Sequence, residues 1–237
     1  MNITKNLLFL ASLISITSIG YKGLDLIKSN NSYISTNGLS VRHVASDEAI
    51  WNITIINESD ALKDAQEKLK KDKNFVLEFL KKCGFSTDEV SEGAIKIEDR
   101  LRYSSSKDMG EKKRFEIRET VSIKTQNLNL IEKSLTKLSE LIEKNIQIED
   151  SAKYFYKNLD KLRVEMIKEA TKDSQNRAKN VAESINTQIS GIRNLSTGNF
   201  SIMSEDSSAT SENDWTEGEN SVKKKIRVVV HGTFNLK

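Results

Sequence analysis

The apolar residues of this chain recur at two spacings, and the places where one gives way to the other constrain the fold more than any other feature. Ala49, Trp51, Ile53 and Ile55 alternate with Ile50, Asn52, Thr54 and Ile56, the period of two that lines one face of a strand. Leu62, Ala65, Leu69, Val76, Phe79, Leu80 and Cys83 then recur at helical spacing, which predicts a helix over 59–83 with Asn57 or Ser59 as its cap. Gly84 ends it, because a glycine takes the left-handed conformation that closes a helix, and Phe85 stands where such a stop makes its hydrophobic contact.

The same reading extends along the chain. Residues 34–44 read as a first strand and 47–56 as the second. Further strands are expected over 94–103, with Ile95, Ile97 and Leu101 inward, and over 113–125, with Phe115, Ile117, Val121 and Ile123 inward. Asn127 caps a shorter helix with Leu128, Ile131, Leu135, Leu138 and Ile142 on one face, and an extended segment covers 146–159. A long helix follows over 160–186, its stripe made of Leu162, Met166, Ala170, Ser174, Ala178, Val181 and Ile185. The middle of that stripe is small, which lets the helix backbone approach a sheet closely. Strands over 188–203 and 223–236 complete the pattern, and Ile226, Val228, Val230, Phe234 and Leu236 share one face of the last. Between them, 204–221 carries acidic residues and no basic one, and reads as a mobile acidic loop.

The order strand, helix, strand, polar loop, strand thus occurs twice, over 47–125 and over about 146–236. Neither copy buries its helix and sheet face alone. The expected fold class is therefore α+β: two strand-helix-strand-strand repeats forming antiparallel sheet packed by helices. The domain covers 32–237, with halves of about 32–125 and 146–237 and a bridging helix over 127–144. Two separable subdomains are the alternative.

Residues 1–31 read as an address. Lys5 and the free amine precede an apolar run from Leu7 to Ile19 that ends in Ser18 and Gly20, the pattern of a secretory signal peptide. The uncharged stretch 6–21 is sixteen residues long, just short of the roughly 17 to 25 that span a bilayer, so a retained membrane anchor is the alternative to cleavage.

Charge and chemistry narrow the function classes. The 37 Lys and Arg against 34 Asp and Glu leave a net charge of +3, which argues against an electrostatic nucleic-acid binder. The single cysteine cannot form an internal disulfide, and the two histidines, His43 and His231, lie too far apart in sequence to suggest a ligand cluster. His43 falls in the first strand, and His231 on the outward register of the last. Cys83 lies on an apolar stripe at a helix C-terminus, where the helix dipole favours the neutral thiol, and reads as buried and inert. The runs Lys112-Lys113-Arg114 and Lys223-Lys224-Lys225 each begin a strand, where lysines protect an exposed edge. No nucleophile elbow or phosphate-binding loop occurs. The sequence therefore assigns no catalytic, cofactor-binding or metal-binding residue, no cofactor and no enzymatic activity.

Four runs carry a resemblance. Ser35-Thr36-Asn37-Gly38-Leu39-Ser40-Val41 with Asp47-Glu48-Ala49-Ile50-Trp51, then Glu165-Met166-Ile167-Lys168-Glu169-Ala170-Thr171, and finally Lys224-Lys225-Ile226-Arg227-Val228-Val229-Val230 together resemble the SIMPL-domain (DUF541) family, in particular its bacterial exported branch. The resemblance implies an α+β domain of repeated strand and helix units, residence in the periplasm or cell envelope, and large oligomers in some members; it implies no catalytic residues. The expected role is a non-enzymatic, self-associating scaffold, a homo-oligomer associated with the inner membrane through residues 6–21 if these are retained. A binding module holding a peptide or lipid-like ligand against a sheet edge or inter-half groove is the alternative. The strands over 34–44 and 223–236 are the long candidates for pairing edges, and head-to-tail pairing would give a ring.

Overall fold

The computed structural model describes residues 32–102, 112–205 and 218–237. The expected signal or anchor segment and the greater part of the acidic loop lie outside the described residues. The fold is mixed α+β, with antiparallel sheets packed by helices. Strands β1 (Tyr33–Ala45) and β2 (Glu48–Ser59) lead into helix α1 (Leu62–Cys83), followed by β3 (Val90–Glu92), β4 (Lys96–Asp99) and β5 (Phe115–Thr125). Helices α2 (Leu128–Leu135) and α3 (Ser139–Ile142), strand β6 (Ile148–Phe155), helix α4 (Leu159–Ser184) and strands β7 (Ile189–Ser204) and β8 (Lys223–Leu236) complete the order.

These elements divide into two compact units that do not follow chain order. The first takes the chain to Arg42, Asp160–Phe200 and Arg227–Lys237; the second takes His43–Leu159 and Ser201–Ile226. The stretch 32–125 therefore contributes to both units, and α2 and α3, expected to bridge two halves, belong wholly to the second. Strand β6, expected to open a second repeat, instead pairs with β2.

The second unit is built on a sheet of order β3-β5-β2-β6, with β4 also on β5. Ala49, Trp51, Ile53 and Ile55 of β2 and Ile117, Val121 and Ile123 of β5 are fully buried on one face, where α1 covers them with Ala65, Leu69, Val76 and Leu80. Each Ile, Val and Leu side chain among them contributes roughly 1.5–3 kcal/mol on leaving water. Helix α1 stops as expected: Gly84 adopts a φ of 105°, its N–H reaches Leu80 O, and Phe85 N–H reaches the same carbonyl. Its start differs. Ala61 is the cap residue, and Ser59 Oγ accepts the Ala61 N–H at 3.3 Å rather than capping the helix itself. Asn57 is a buried residue of β2 whose amide finds no partner among the described residues.

Two apolar patterns mislead. Ile95, Ile97 and Leu101 are exposed, because residues 96–102 form a short edge strand and a 3-10 turn beside β5, while α1 lies over β2 and β5. The helix after Asn127 breaks in two: Asn127 Oδ1 accepts the Leu130 N–H as expected, but α2 ends at Leu135, and Leu141 is buried in place of Ile142.

In the first unit, the order β1-β8-β7 puts β8 between two edges. The sheet is antiparallel, since Leu236 N–H bonds Ser32 O on one side, and Lys237 N–H bonds Gln188 O on the other. Helix α4 covers one face through Met166, Ala170, Ser174, Ala178 and Ala182. A strict spacing of four carries this stripe past the expected Val181 and Ile185, which are exposed, to Ala182. The small residues meet a small partner: a methyl built on Gly38 would overlap Ala170 O and Ser174 N and lie 2.8 Å from Ser174 Cβ.

Candidate functional site

The sequence-selected residues occupy separate places. His43 Nδ1 lies 3.3 Å from Glu205 Oε1 in the second unit. In the first, His231 Nδ1 and Asn37 Oδ1 are 2.7 Å apart. Cys83 is half-buried at the end of α1. Among the described residues, no group of three or more His, Cys, Asp or Glu side chains is arranged to hold a metal ion.

The lysine clusters do more than guard edges. Lys113 bonds Asp60 at 2.7 Å, and Arg114 bonds Asp99 while stacking over the Phe115 ring. Lys224 is buried in a central strand, with its ammonium donating to Ser221 O at 2.8 Å and to Gly218 O. Burial pulls its pKa down to about 8, with Glu219 partly opposing the shift. It fastens residues 218–221 to the start of β8, so the expectation of an edge cluster is corrected for this lysine.

Three surface features could engage another molecule. A half-open groove of about 530 Å³ in the second unit is lined by Leu77, Leu80, Phe85 and Val90, with Lys81 and Glu92 also at its wall. It borders β3, an edge of that sheet. A more open, polar cleft of about 460 Å³ is lined by Glu48, Asp88, Glu89, Lys124 and Asn127. There the Thr125 hydroxyl and the Ser86 N–H hold the Glu89 carboxyl below the ordinary range. Lys124 and Lys157 lie 3.3 and 3.4 Å from the Glu48 carboxylate oxygens.

The third feature is β7. Among the described strands it pairs only with β8, leaving one edge open. Residues 190–197 are exposed one after another, and Ile192 and Leu195 keep 55% and 43% of their surface in contact with solvent. Across its sixteen residues β7 contains one charged side chain, Arg193, and no proline. Edge strands are normally blunted by charge, proline or brevity, and β7 has little of any of these. The opposite edge is treated differently. Asp173 of α4 accepts the Leu39 N–H of β1 at 2.9 Å, occupying a donor that an added strand would need.

The expected pairing edges are thereby redrawn: β1 is an edge but carries that carboxylate, β8 is central, and β7 is the open edge. The sequence reading treated 188–203 as a strand with bends at Gly191 and Gly198. The signal it passed over is the scarcity of charge along so long an exposed strand.

Comparison with known proteins places the chain. Residues 34–234 match the profile of SIMPL, described as "Protein of unknown function (DUF541)". The protein belongs to the SIMPL family. That match spans both compact units of this SIMPL protein and agrees with its α+β architecture. Comparison with curated proteins finds no match. Solved structures similar to it include the de novo designed protein Foldit4, 18% identical, with 44% of this chain and 94% of that chain covered and a TM-score of 0.25. Another is the ligand-free regulatory subunit of aspartate kinase from Thermus thermophilus, 15% identical, with 81% and 87% covered and a TM-score of 0.22. Neither overlap is close enough to bear on the fold.

Proposed function

We propose that this SIMPL protein is an exported component of the bacterial cell envelope that catalyses no reaction and serves as a self-associating scaffold. The observation that carries the reading is the sixteen-residue β7, which pairs only with β8 among the described strands and carries a single charged side chain. Unpaired strand N–H and C=O groups are a template for another strand, and apolar residues beside them favour contact over hydration. Residues 1–31 supply the export signal, cleaved or kept as an inner-membrane anchor over 6–21. Sedimentation of the purified protein across a hundredfold concentration range is expected to show reversible, concentration-dependent association. A monomer throughout overturns the scaffold.

A second reading rests on the apolar groove beside β3. An extended peptide could lay alternate side chains over Leu77, Leu80, Phe85 and Val90 while its backbone pairs with the edge. It predicts a monomer that gains stability on adding a peptide rich in apolar residues.

Export has its own test. Residues 1–31 fused to a reporter active only outside the cytoplasm should yield activity, and an inactive fusion would remove the envelope assignment.

A further inference from the structure

We infer that β7 pairs antiparallel with β7 of a second copy, so that two three-stranded sheets join into one six-stranded sheet about a two-fold axis. This rests on the scaffold reading and adds which strands meet, in what register, and why the assembly closes.

Two edges are open to consideration in the first unit, β1 and β7. A head-to-tail contact, β7 of one copy on β1 of the next, would repeat without limit unless it curved into a ring. That contact meets an obstacle: the Leu39 N–H is already donated to Asp173, whose carboxylate also accepts from Arg177 Nε at 2.8 Å. An incoming strand would have to displace a charge-assisted bond and leave a carboxylate facing its backbone carbonyls. Pairing β7 with its own copy meets no such carboxylate among the described residues, and it joins the two β7 edges in a single contact.

Symmetry and charge then select the register. A two-fold axis perpendicular to a sheet requires paired residues to point to the same face, so one residue must lie opposite its own copy. The exposed run 190–197 is centred between Arg193 and Asn194. An axis at Arg193 sets two guanidinium groups directly opposite, and like charges in that position are destabilising. An axis at Asn194 instead sets Asn194 opposite Asn194, Arg193 opposite Leu195, Ile192 opposite Ser196 and Ser190 opposite Gly198. Arg193, whose guanidinium lies 5.0 Å from the centre of the Tyr33 ring, then faces Leu195, and no like charges are directly opposed.

The test is a cross-link in the full-length protein carrying Cys83→Ala, so that no native thiol competes. Directly opposed residues in antiparallel strands have Cα atoms about 4.5–5.5 Å apart, within the range a disulfide accepts. Asn194→Cys is expected to form a covalent dimer under mild oxidation, whereas Ser190→Cys, whose copies would lie roughly 26 Å apart at about 3.3 Å per residue, is not. A charge pair checks the register without a thiol. Leu195→Lys, opposite Arg193, should weaken association at least tenfold, and Leu195→Glu should preserve or tighten it. Association that persists in sedimentation with no Asn194 cross-link, or with equal Ser190 and Asn194 cross-linking, overturns this interface while leaving the scaffold standing. The same follows if the lysine and glutamate variants behave alike. A protein that stays monomeric in sedimentation overturns both.

Discussion

Gly38→Ala is expected to destabilise the first unit by about 3 kcal/mol or more, above the ordinary range for overpacking, because the added methyl has no space and its nearest neighbours are backbone atoms. It would overlap Ala170 O and Ser174 N of α4, neither of which can rotate away as a side-chain tip can. The helix must retreat, and the contacts that depend on its close approach go with it. Thr36 Oγ1 donates to Ser174 O at 2.8 Å, Ser40 Oγ donates to Glu169 at 2.9 Å, and Leu39 N–H donates to Asp173 at 2.9 Å. On a denaturant slope of roughly 3 kcal/mol per molar urea, the loss would move the midpoint by about 1 M. Gly191→Ala is the matched control. Nothing lies within 4 Å of a methyl at Gly191, so that variant should unfold with the parent. Equal stability of the two variants would mean that α4 does not press on β1 as described.

That contact marks how far the sequence could be read. The succession of small residues Ala170, Ser174 and Ala178 announces a close helix approach, because spacing and side-chain size are both local properties. The alternation in β8 and the Gly84-Phe85 stop of α1 are local in the same sense, and both appear in the structure as expected. What lies beside a strand is not local. Ile95 and Ile97 alternate as a buried strand would, yet they sit on an edge beyond the helix that covers β2 and β5. Nothing in the Lys223 to Lys225 run distinguishes an edge from a centre, and pairing by β1 and β7 on both sides decided the matter. The candidate interface was hidden for that reason: β7 was legible as a strand, but only the strand order makes it an open edge.

The second large effect concerns carboxylates that the sheet register forces together. Glu58 of β2 lies directly opposite Glu116 of β5, and like charges in that position repel. Arg100 resolves the conflict by donating to both, reaching Glu58 Oε1 at 2.7 Å and Glu116 Oε2, while Arg118 holds the second oxygen of Glu116 and bonds Glu149 at 3.0 Å. The Glu116 side chain is 7% exposed and that of Arg100 15%. Burial pushes the Glu116 carboxyl up, but Arg118 and Arg100 outweigh it and hold the group below the ordinary range. A carboxyl with its folded pKa lowered contributes stability above the unfolded value, and loses it as pH falls through the folded one.

Arg100→Leu removes the bridge and leaves two carboxylates facing each other. Breaking a buried pair costs about 3–5 kcal/mol, but Arg118 remains and Glu58 is partly solvated, so about 2–3 kcal/mol is expected near neutral pH. In a chain of this size that corresponds to a fall in Tm of roughly 5–10 °C. The pH dependence separates this from simple loss of packing. With the arginine gone, Glu116 loses one of the two cations that hold its pKa down, so acidification relieves the variant while it weakens the parent. The gap in Tm should narrow steadily from pH 7 to pH 4, and Arg100→Lys should recover part of it at neutral pH, since an ammonium can still lie between the two carboxylates. A gap that stays constant over that range would mean that Arg100 acts through its hydrocarbon stem and not through its charge.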